Sequence, residues 1–509
     1  MKKHLFTLLV LFISTLAFAQ EASQEQPIPE GKVSTTQHRI TIDGTAIEYT
    51  AKAGTMQLKD EENKPIALFG YTSYVKTNGN NDSRPIVFAY NGGPGSSSYW
   101  LHMGVLGPKR IVVKDPEFTP AAPYKLVENN YSILDKADLV MLDPVGTGLS
   151  VPIGEAEYKD FWGVDQDIRS IALFIRQYLI ENGRMNSPKF LLGESYGTLR
   201  NAGVMNELLN QGFALNGVIM VSAVFDLRTL IFPPNEDLPY VVHFPTYAAT
   251  ARYHDRVADK KESLETFLDE VRTFTEEEYA PALFKGDQIS EENKQAMAQK
   301  LEDYTGVDQE FWLKADLRVT NSEFFQEFMN DEGMTVGRLD SRFTGYTLDP
   351  LMQNADYDPQ SLAISPAYTA GFLDYFHNEL GVDRSLRYAQ GAYAKPGFKW
   401  DWTHGPSGFL GGASINTGPD MARAMTYDPN VKVLILNGYY DIATVFYGVE
   451  HTIDHLGLTP EIKDNIIMKY YEAGHMMYTH QPSLEKFKTD VAKFIEETAV
   501  TGSKDLSTR

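Results

Sequence analysis

The sequence predicts an α/β fold: a doubly wound, mostly parallel sheet with an inserted, largely helical cap domain. Short apolar runs alternate with amphipathic stretches between residues 86 and 224, a rhythm typical of parallel strands joined by helices. This rhythm stops near residue 228 and resumes at residue 431, which indicates an insertion. Apolar residues make up 43% of the 509 residues, enough for a large core.

Individual strands and helices of the sheet domain follow from local patterns. Alternating hydrophobicity over residues 40–75 predicts antiparallel strands. Apolar spacing predicts one helix over residues 164–182 and another that follows residue 195 and ends at Gly212. Continuous apolar runs predict buried strands at residues 86–90, 138–142, 190–192, 218–224, 431–436 and 465–471.

The predicted insertion carries helical signals of its own. Charged segments at residues 261–274 and 291–304 predict two helices. A third helix is predicted to start with Ser365 as its cap and Pro366 at its first position, and to run to Leu380. Serine favours helix N-caps, and proline is tolerated at the first helical position.

These patterns divide the chain into six segments. They are a signal peptide (1–19), a flexible leader (20–36), the first part of the sheet domain (37–227), the cap insertion (228–418), the second part of the sheet domain (419–498) and a C-terminal tail (499–509). The signal peptide is predicted from Lys2 and Lys3, an apolar run at residues 5–16 and an A-x-A cleavage site at residues 17–19. We therefore expect export through a cleavable signal peptide to a periplasmic or extracellular location, without membrane insertion of the mature chain.

Charge and cysteine content exclude several classes of function. The formal charge is −22 and no basic run is present, which argues against a nucleic-acid partner. Because the chain has no cysteine, disulfides, Cys-based zinc sites and thiol catalysis are excluded. We expect no cofactor and no metal, and the sequence does not indicate an oligomeric state.

A G-x-S-x-G sequence at residues 193–197 is the principal candidate for catalysis. An apolar strand precedes it and an amphipathic helix follows, which is the setting of the nucleophile elbow in the α/β-hydrolase fold. Serine needs a base to take its proton and an acid to orient that base. The fold places these in the chain order Ser, Asp, His after later strands, and Ser195, Asp441 and His475 meet that condition.

A glycine-rich loop at residues 91–98 directly follows a predicted strand. Bare backbone N–H groups at such a corner can bind a developing oxyanion. A phosphate-binding loop is the alternative, but no Gly-Lys-Ser/Thr follows and Pro94 removes a donor. A purely structural turn stays open as a third interpretation.

Five motifs together resemble those of the serine carboxypeptidase family. The resemblance implies a hydrolase that releases C-terminal residues from peptides through an acyl-enzyme. It also implies that the N–H groups of Gly93 and Tyr196 form the oxyanion hole, and that Asn91 and Glu194 bind the substrate's terminal carboxylate by sharing a proton. The motifs lie at residues 91–95, 143–148, 193–197, 438–441 and 474–476.

Three positions depart from the family pattern. Ala89 stands where the family usually has Trp, and Ser96 where it usually has Cys. Val105 stands where the family has a second carboxyl-binding Glu. Because Glu194 then lacks a like-charged neighbour, we expect it to ionise at lower pH and to bind a carboxylate less strongly near neutrality.

Other functions use the same residues. An aminopeptidase of the same fold can carry a G-G-P-G loop, but such enzymes usually have His at the position of Asn91. Esterase and acyltransferase chemistry needs the same three catalytic residues. The complete set of Ser, Asp and His argues against a non-catalytic peptide-binding protein.

Overall fold

A computed structural model describes residues 28–80, 83–257, 263–405 and 415–504, with the backbone alone at 500–504. The predicted signal peptide and the first eight residues of the predicted leader (20–27) lie outside the described residues. No described helix has both the length and the run of apolar residues that crossing a bilayer requires.

Fourteen strands are present in the described part of the chain. Most coincide with an apolar or alternating run that is followed by turn-forming residues. They are β1 (Val33–Ile42), β2 (Thr45–Lys59), β3 (Pro65–Lys76), β4 (Ile86–Tyr90), β5 (Lys109–Val112), β6 (Lys125–Glu128), β7 (Asp138–Asp143), β8 (Val151–Pro152), β9 (Lys189–Glu194), β10 (Gly217–Val221), β11 (Met334–Val336), β12 (Thr344–Tyr346), β13 (Lys432–Gly438) and β14 (Ile466–Tyr471).

One ten-stranded sheet dominates the molecule. Its order is β1-β2-β3-β7-β4-β9-β10-β13-β14, with β8 paired to β3. The first three strands and the β3–β7 pair are antiparallel, whereas every pair from β7 to β14 is parallel. Two small antiparallel pairs, β5–β6 and β11–β12, lie apart from it. The predicted mostly parallel sheet and its antiparallel beginning are confirmed.

Helices connect these strands and fill the segment between β10 and β13. Those in the described residues are α1 (Tyr99–Leu101), α2 (Val164–Glu181), α3 (Tyr196–Asn210), α4 (Leu238–Tyr253), α5 (Leu264–Phe274), α6 (Ala280–Phe284), α7 (Glu291–Thr305), α8 (Gln309–Lys314), α9 (Asn321–Glu327), α10 (Pro359–Asp374), α11 (Gly418–Tyr427), α12 (Phe446–Asp454), α13 (Pro460–Lys463) and α14 (Gln481–Lys504).

Both faces of the sheet are buried. Along β4, Val87 points into a core that includes Phe487 of α14. The next residue, Phe88, points into a second core that includes Ile171 of α2 and Leu199 of α3. Alternate residues of a strand face opposite sides, so one continuous apolar run supplies both cores. This is the doubly wound arrangement that the sequence predicts.

The elements between β10 and β13 are mostly helical and surround a third core. Residues of α4, α5 and α7 pack there with the buried Trp312 of α8. Because β10 and β13 are neighbours in the sheet, the chain leaves the sheet and returns beside its point of departure. We retain residues 228–418 as a proposed cap domain.

The helix predicted to start at Ser365 begins earlier. In the structure α10 starts at Pro359, with Asp358 as the cap that accepts a hydrogen bond from the Ser361 N–H. Pro366 lies inside the helix, and the Ser365 hydroxyl donates back to the Ser361 carbonyl. Both Ser-Pro and Asp-Pro can start a helix, and the earlier Asp-Pro pair is the one used.

Two predicted boundaries are also wrong. Strand β1 starts at Val33, where it pairs with Gly54, so residues 33–36 belong to the sheet and not to a flexible leader. Helix α14 runs to Lys504, so residues 499–504, predicted as part of the C-terminal tail, continue the last helix of the sheet domain. At residues 33–36, pairing with β2 stabilises a strand whose mostly polar sequence does not by itself predict one.

Candidate active site

Ser195 lies at the turn between β9 and α3, in a backbone conformation that few residues other than glycine adopt. Its φ is 61°, which is strained for a side chain with a Cβ. The Ser195 N–H donates to the Val221 carbonyl at 2.9 Å, and the Thr198 N–H donates to the Ser195 carbonyl at 2.8 Å. These bonds fix the strained turn that exposes the serine, as in a nucleophile elbow.

The glycines of the elbow are required by close backbone contacts. A Cβ on Gly193 would collide with the Gly197 carbonyl oxygen. A Cβ on Gly92 would lie 2.5 Å from the Tyr196 nitrogen, so the glycine-rich loop packs directly against the elbow. Two motifs that are about a hundred residues apart in sequence therefore meet through their glycines.

Asp441 and His475 are brought together at the ends of β13 and β14. The His475 Nδ1 lies 2.8 Å from Asp441 Oδ2. The other carboxylate oxygen accepts hydrogen bonds from the N–H groups of Ala443 and Thr444, and the Thr444 hydroxyl donates to Oδ2 at 2.7 Å. Asp441 is thus fully engaged as an acceptor and orients the imidazole with Nδ1 protonated.

The environment of His475 stabilises its charged form. Burial opposes protonation, but the Asp441 carboxylate and its hydrogen bond outweigh burial and raise the pKa of His475. The Glu194 carboxyl acts in the same direction and Arg338 in the opposite one. An imidazole stabilised in this way can accept a proton and hold it while a bond is made or broken.

Ser195 and His475 line the same cavity of about 330 Å³. Among the described residues, no hydrogen bond joins the Ser195 side chain to His475. Such bonds are often long in ligand-free enzymes and shorten in the complex. The structure therefore places the serine beside a base that is already oriented, with room for a substrate.

Gly93 and Tyr196, the residues proposed for the oxyanion hole, also line this cavity. Neither backbone N–H donates a hydrogen bond to any residue that the structure describes. The Tyr196 N–H is the first of α3, and helix N-terminal N–H groups lack partners within the helix. Two free N–H donors at the cavity wall can form hydrogen bonds to an oxygen on which negative charge develops.

Asp143, in the motif at residues 143–148, holds the glycine-rich loop in place. Its Oδ1 accepts hydrogen bonds from the Ser98 N–H and hydroxyl, each at 2.9 Å, and from the Tyr388 hydroxyl at 3.0 Å. A Cβ on Gly148 would collide with this carboxyl group. The motif is therefore structural support for the loop.

Asn91 and Glu194 lie in contact on one side of the cavity. The Asn91 Nδ2 donates to Glu194 Oε1 at 2.8 Å, and Asn91 Oδ1 accepts from the Leu101 N–H at 3.0 Å. Glu194 Oε2 is buried and has no hydrogen-bond partner among the described residues. This oxygen therefore has unsatisfied hydrogen-bonding capacity, and the nearby Tyr478 hydroxyl lowers the pKa of the carboxyl group.

The expectation that Glu194 ionises at lower pH is wrong. Burial raises the pKa of Glu194 to about 7, against the opposing effects of His475, Tyr478 and Asn91. Val105 is itself completely buried in the apolar core. Desolvation is therefore the dominant influence on the pKa of this carboxyl group. A deeply buried Tyr478, whose hydroxyl also lacks a partner of normal geometry in the described residues, faces the carboxyl group.

A buried ion pair supports the site from behind. Arg200 Nε lies 2.6 Å from Asp167 Oδ2, and both side chains are almost fully buried. Arg200 Nη1 also donates to the Asn91 carbonyl at 2.9 Å, and the guanidinium lies over the rings of Tyr90 and Tyr196. It therefore links α2, α3 and the glycine-rich loop.

Replacing Arg200 with Met is expected to lower the free energy of unfolding by about 3–5 kcal/mol, because the Asp167 carboxylate is left buried and unpaired. Chemical denaturation measures this change. The double variant Arg200→Met/Asp167→Leu should recover much of the loss, since it removes the stranded charge. A single variant as stable as the wild type would contradict this role of the pair.

Two other histidines late in the chain, His404 and His480, do not line the cavity of Ser195 and His475. His404 contacts Asp165 through Nδ1 at 2.7 Å and Asp420 through Nε2 at 2.6 Å. His480 lines a separate cavity and contacts Ser483. Within the described ranges, no cluster of His, Asp and Glu side chains has the arrangement of a metal site.

Sequence reasoning missed three contributors to the site. Thr444 binds Asp441, Arg200 supports Asn91, and Arg338 of the proposed cap lines the cavity. Thr444 follows Asp441 by three residues, a spacing that permits a local hydroxyl–carboxylate bond. The other two are placed by tertiary contacts that no local pattern reveals.

Comparisons with known proteins agree with the motifs. The family model for serine carboxypeptidases matches residues 43–481. Serine carboxypeptidase-like 9 from Arabidopsis thaliana is 24% identical over 203 residues, which are 38% of this chain and 44% of that protein. Serine carboxypeptidase-like 45 from the same plant is 32% identical over 140 residues, 27% of each protein. The chain thus spans less than half the length of these relatives.

A solved structure shares the fold. The prohormone-processing carboxypeptidase Kex1 from Saccharomyces cerevisiae superposes with a TM-score of 0.52 and 16% identity, covering 88% of this chain and 92% of that one. At this identity the likeness concerns the fold alone. The predicted α/β-hydrolase fold is confirmed.

Proposed function

The chain belongs to the serine carboxypeptidase family, a family of hydrolases, and from this premise we propose that it is an exported serine carboxypeptidase. It removes C-terminal residues from peptides through an acyl-enzyme. The proposal of export rests on the basic, apolar and A-x-A pattern of residues 1–19. Its substrates are then peptides outside the cytoplasm.

In the proposed mechanism His475 Nε2 takes the hydroxyl proton of Ser195 as its oxygen attacks the last peptide carbonyl. The Asp441 carboxylate holds Nδ1–H and stabilises the imidazolium. The N–H groups of Gly93 and Tyr196 receive the oxyanion. His475 then returns its proton to the leaving amine, so the C-terminal amino acid departs and an ester on Ser195 remains. Water, deprotonated by His475, hydrolyses this ester.

The Asn91–Glu194 pair is the single observation that carries the exopeptidase proposal. The pair lines the same cavity as Ser195 and leaves one buried carboxyl oxygen without a partner in the described residues. A protonated carboxyl can donate that O–H to a substrate carboxylate, whereas an ionised one repels it. An internal peptide segment brings no such carboxylate.

The proposal predicts a pH-dependent preference for free C-termini. Below about pH 7, Glu194 is mostly neutral because burial raises its pKa to about 7, so its O–H can bind the substrate carboxylate. Above that pH it is ionised and repels. We expect the ratio of kcat/KM for a peptide acid to that for its amide to be high at acid pH and to fall as pH rises through about 7.

Glu194→Gln is the matched control, because its amide retains the shape of the carboxyl group but does not titrate. The ratio for this variant should be independent of pH over the same range. A wild-type ratio that stays constant through neutrality would contradict the shared-proton proposal. Taking the ratio cancels the titration of His475, which affects both substrates alike.

A further inference from the structure

Arg338 is a cation in the active-site cavity for which the described residues supply no partner. It lines the cavity together with Ser195 and His475, and its side chain is exposed. Its guanidinium makes no hydrogen bond and no ion pair with any described residue. Most other residues that line the cavity are neutral. In a chain of formal charge −22, an unpaired cation at this position points to an anionic ligand.

The backbone at Arg338 and Leu339 is hydrogen-bonded to the two loops that carry Asp441 and His475. The Arg338 carbonyl accepts a hydrogen bond at 3.1 Å from the N–H of Ile442, the residue after Asp441. The next carbonyl, that of Leu339, accepts one at 2.6 Å from the His475 N–H. The backbone that carries the guanidinium is therefore positioned by the same loops that position the acid and the base.

A buried charge cluster makes this attachment rigid. Asp340 Oδ2 accepts a hydrogen bond from the Gly474 N–H at 2.9 Å and lies 2.6 Å from Arg342 Nη2. Arg342 in turn pairs with Asp115 at 2.8 Å. A Cβ on Gly474 would collide with the Leu339 carbonyl, so the two segments are in direct contact beside the catalytic histidine.

We propose that Arg338 binds a carboxylate of the substrate beside the bond that is cleaved. A guanidinium presents a planar pair of donors that matches a carboxylate. The carboxylate is either the terminal one or that of an Asp or Glu side chain next to the cleaved bond. This inference deepens the proposed function and rests on Ser195 as its nucleophile.

The cavity itself supports a carboxylate as the ligand. The Asn91–Glu194 pair supplies hydrogen bonds but no positive charge, and Val105 adds none. A substrate carboxylate that approaches a protein of net charge −22 is repelled on average. Arg338 offsets this repulsion at the point where the reaction takes place.

The test compares wild type with Arg338→Gln on two sets of matched substrates. One set has Glu or Gln at the last or the penultimate position, which changes charge but not shape. The other set has a free acid or an amide at the C-terminus. Arg338→Gln should lower kcat/KM about three- to tenfold for the carboxylate that Arg338 binds, mainly through KM. Arg338→Lys should retain part of the preference.

Three outcomes are informative. A loss confined to the Glu/Gln ratio assigns Arg338 to an acidic side chain, and a loss confined to the acid/amide ratio assigns it to the terminal carboxylate. Unchanged ratios in both sets would overturn the inference. Arg387→Gln, which removes an exposed arginine that does not line the cavity, should change neither ratio.

Failure of the proposed function can be recognised separately. Esters of N-acyl glutamate and N-acyl glutamine require only the nucleophile and carry no peptide bond. If the wild type cleaves no peptide but hydrolyses these esters, the carboxypeptidase proposal fails. The Glu/Gln ester ratio in wild type and Arg338→Gln then still decides whether Arg338 binds a side-chain carboxylate.

Discussion

Replacing Ser195 with Ala is expected to lower kcat by about 10⁶-fold, the scale measured for loss of a triad nucleophile. His475→Ala should cost about as much, because serine is a weak nucleophile without its base. Asp441→Asn should cost at most as much, since an amide still contacts the imidazole but favours the wrong tautomer. Steady-state kinetics on a peptide substrate measures all three.

Stability provides the control for this prediction. The Ser195 hydroxyl makes no hydrogen bond to any described residue, so Ser195→Ala should leave the free energy of unfolding nearly unchanged. A fluorophosphonate should label the wild type at Ser195 and should not label the variant. Near wild-type hydrolysis by Ser195→Ala would remove the basis of the whole assignment.

Amidation of a peptide's C-terminus is expected to lower kcat/KM about 10²-fold at acid pH. Binding of the terminal carboxylate by Asn91 and protonated Glu194 is a charge-assisted hydrogen bond in a buried position, and loss of such a bond costs a few kcal/mol. The measurement compares one peptide as its free acid and as its amide. The quantity to compare is kcat/KM for the two forms of the peptide.

Two controls separate this effect from general loss of binding. Acetylating the N-terminus of the same peptide should change kcat/KM little, because the proposed site reads the other end. In Glu194→Ala, the acid and the amide should be cleaved at similar rates. An enzyme that accepts amides but requires a free amine would instead be an aminopeptidase.

The catalytic residues could be predicted for two reasons. Each has a local sequence signal, and the three follow the chain order that the fold requires. Ser195 lies in a motif with a strand before it and a helix after it, and Asp441 and His475 follow β13 and β14, which lie beyond β10 in the sheet. Parallel strands place their carboxyl ends at one edge, so the chain order alone predicts that these residues meet. Their observed contact rests on that geometry.

The error at Glu194 has a different origin. Sequence reasoning identified the missing neighbour at Val105 but had no measure of desolvation. The structure buries Val105 completely and Glu194 almost completely, and burial of the Glu194 carboxyl group raises its pKa to about 7. Burial depends on the packing of distant segments, which no local pattern contains.

Arg338 shows a second limit of the sequence. It lies in the proposed cap, outside the five motifs, and nothing in its neighbours marks it as functional. Its position follows from backbone bonds to the loops of Asp441 and His475. The sequence does not reveal such bonds, because they join segments that come together only in the folded structure.

The most direct test of the central proposal is a time course of peptide digestion followed by mass spectrometry. A mixed peptide library is incubated with the wild type and with Ser195→Ala. We expect the wild type to release single residues stepwise from free C-termini and to spare amidated peptides, whereas Ser195→Ala should release nothing from either kind of peptide. Shortening from the N-terminus, cleavage within peptides, or equal digestion by Ser195→Ala would contradict the proposal.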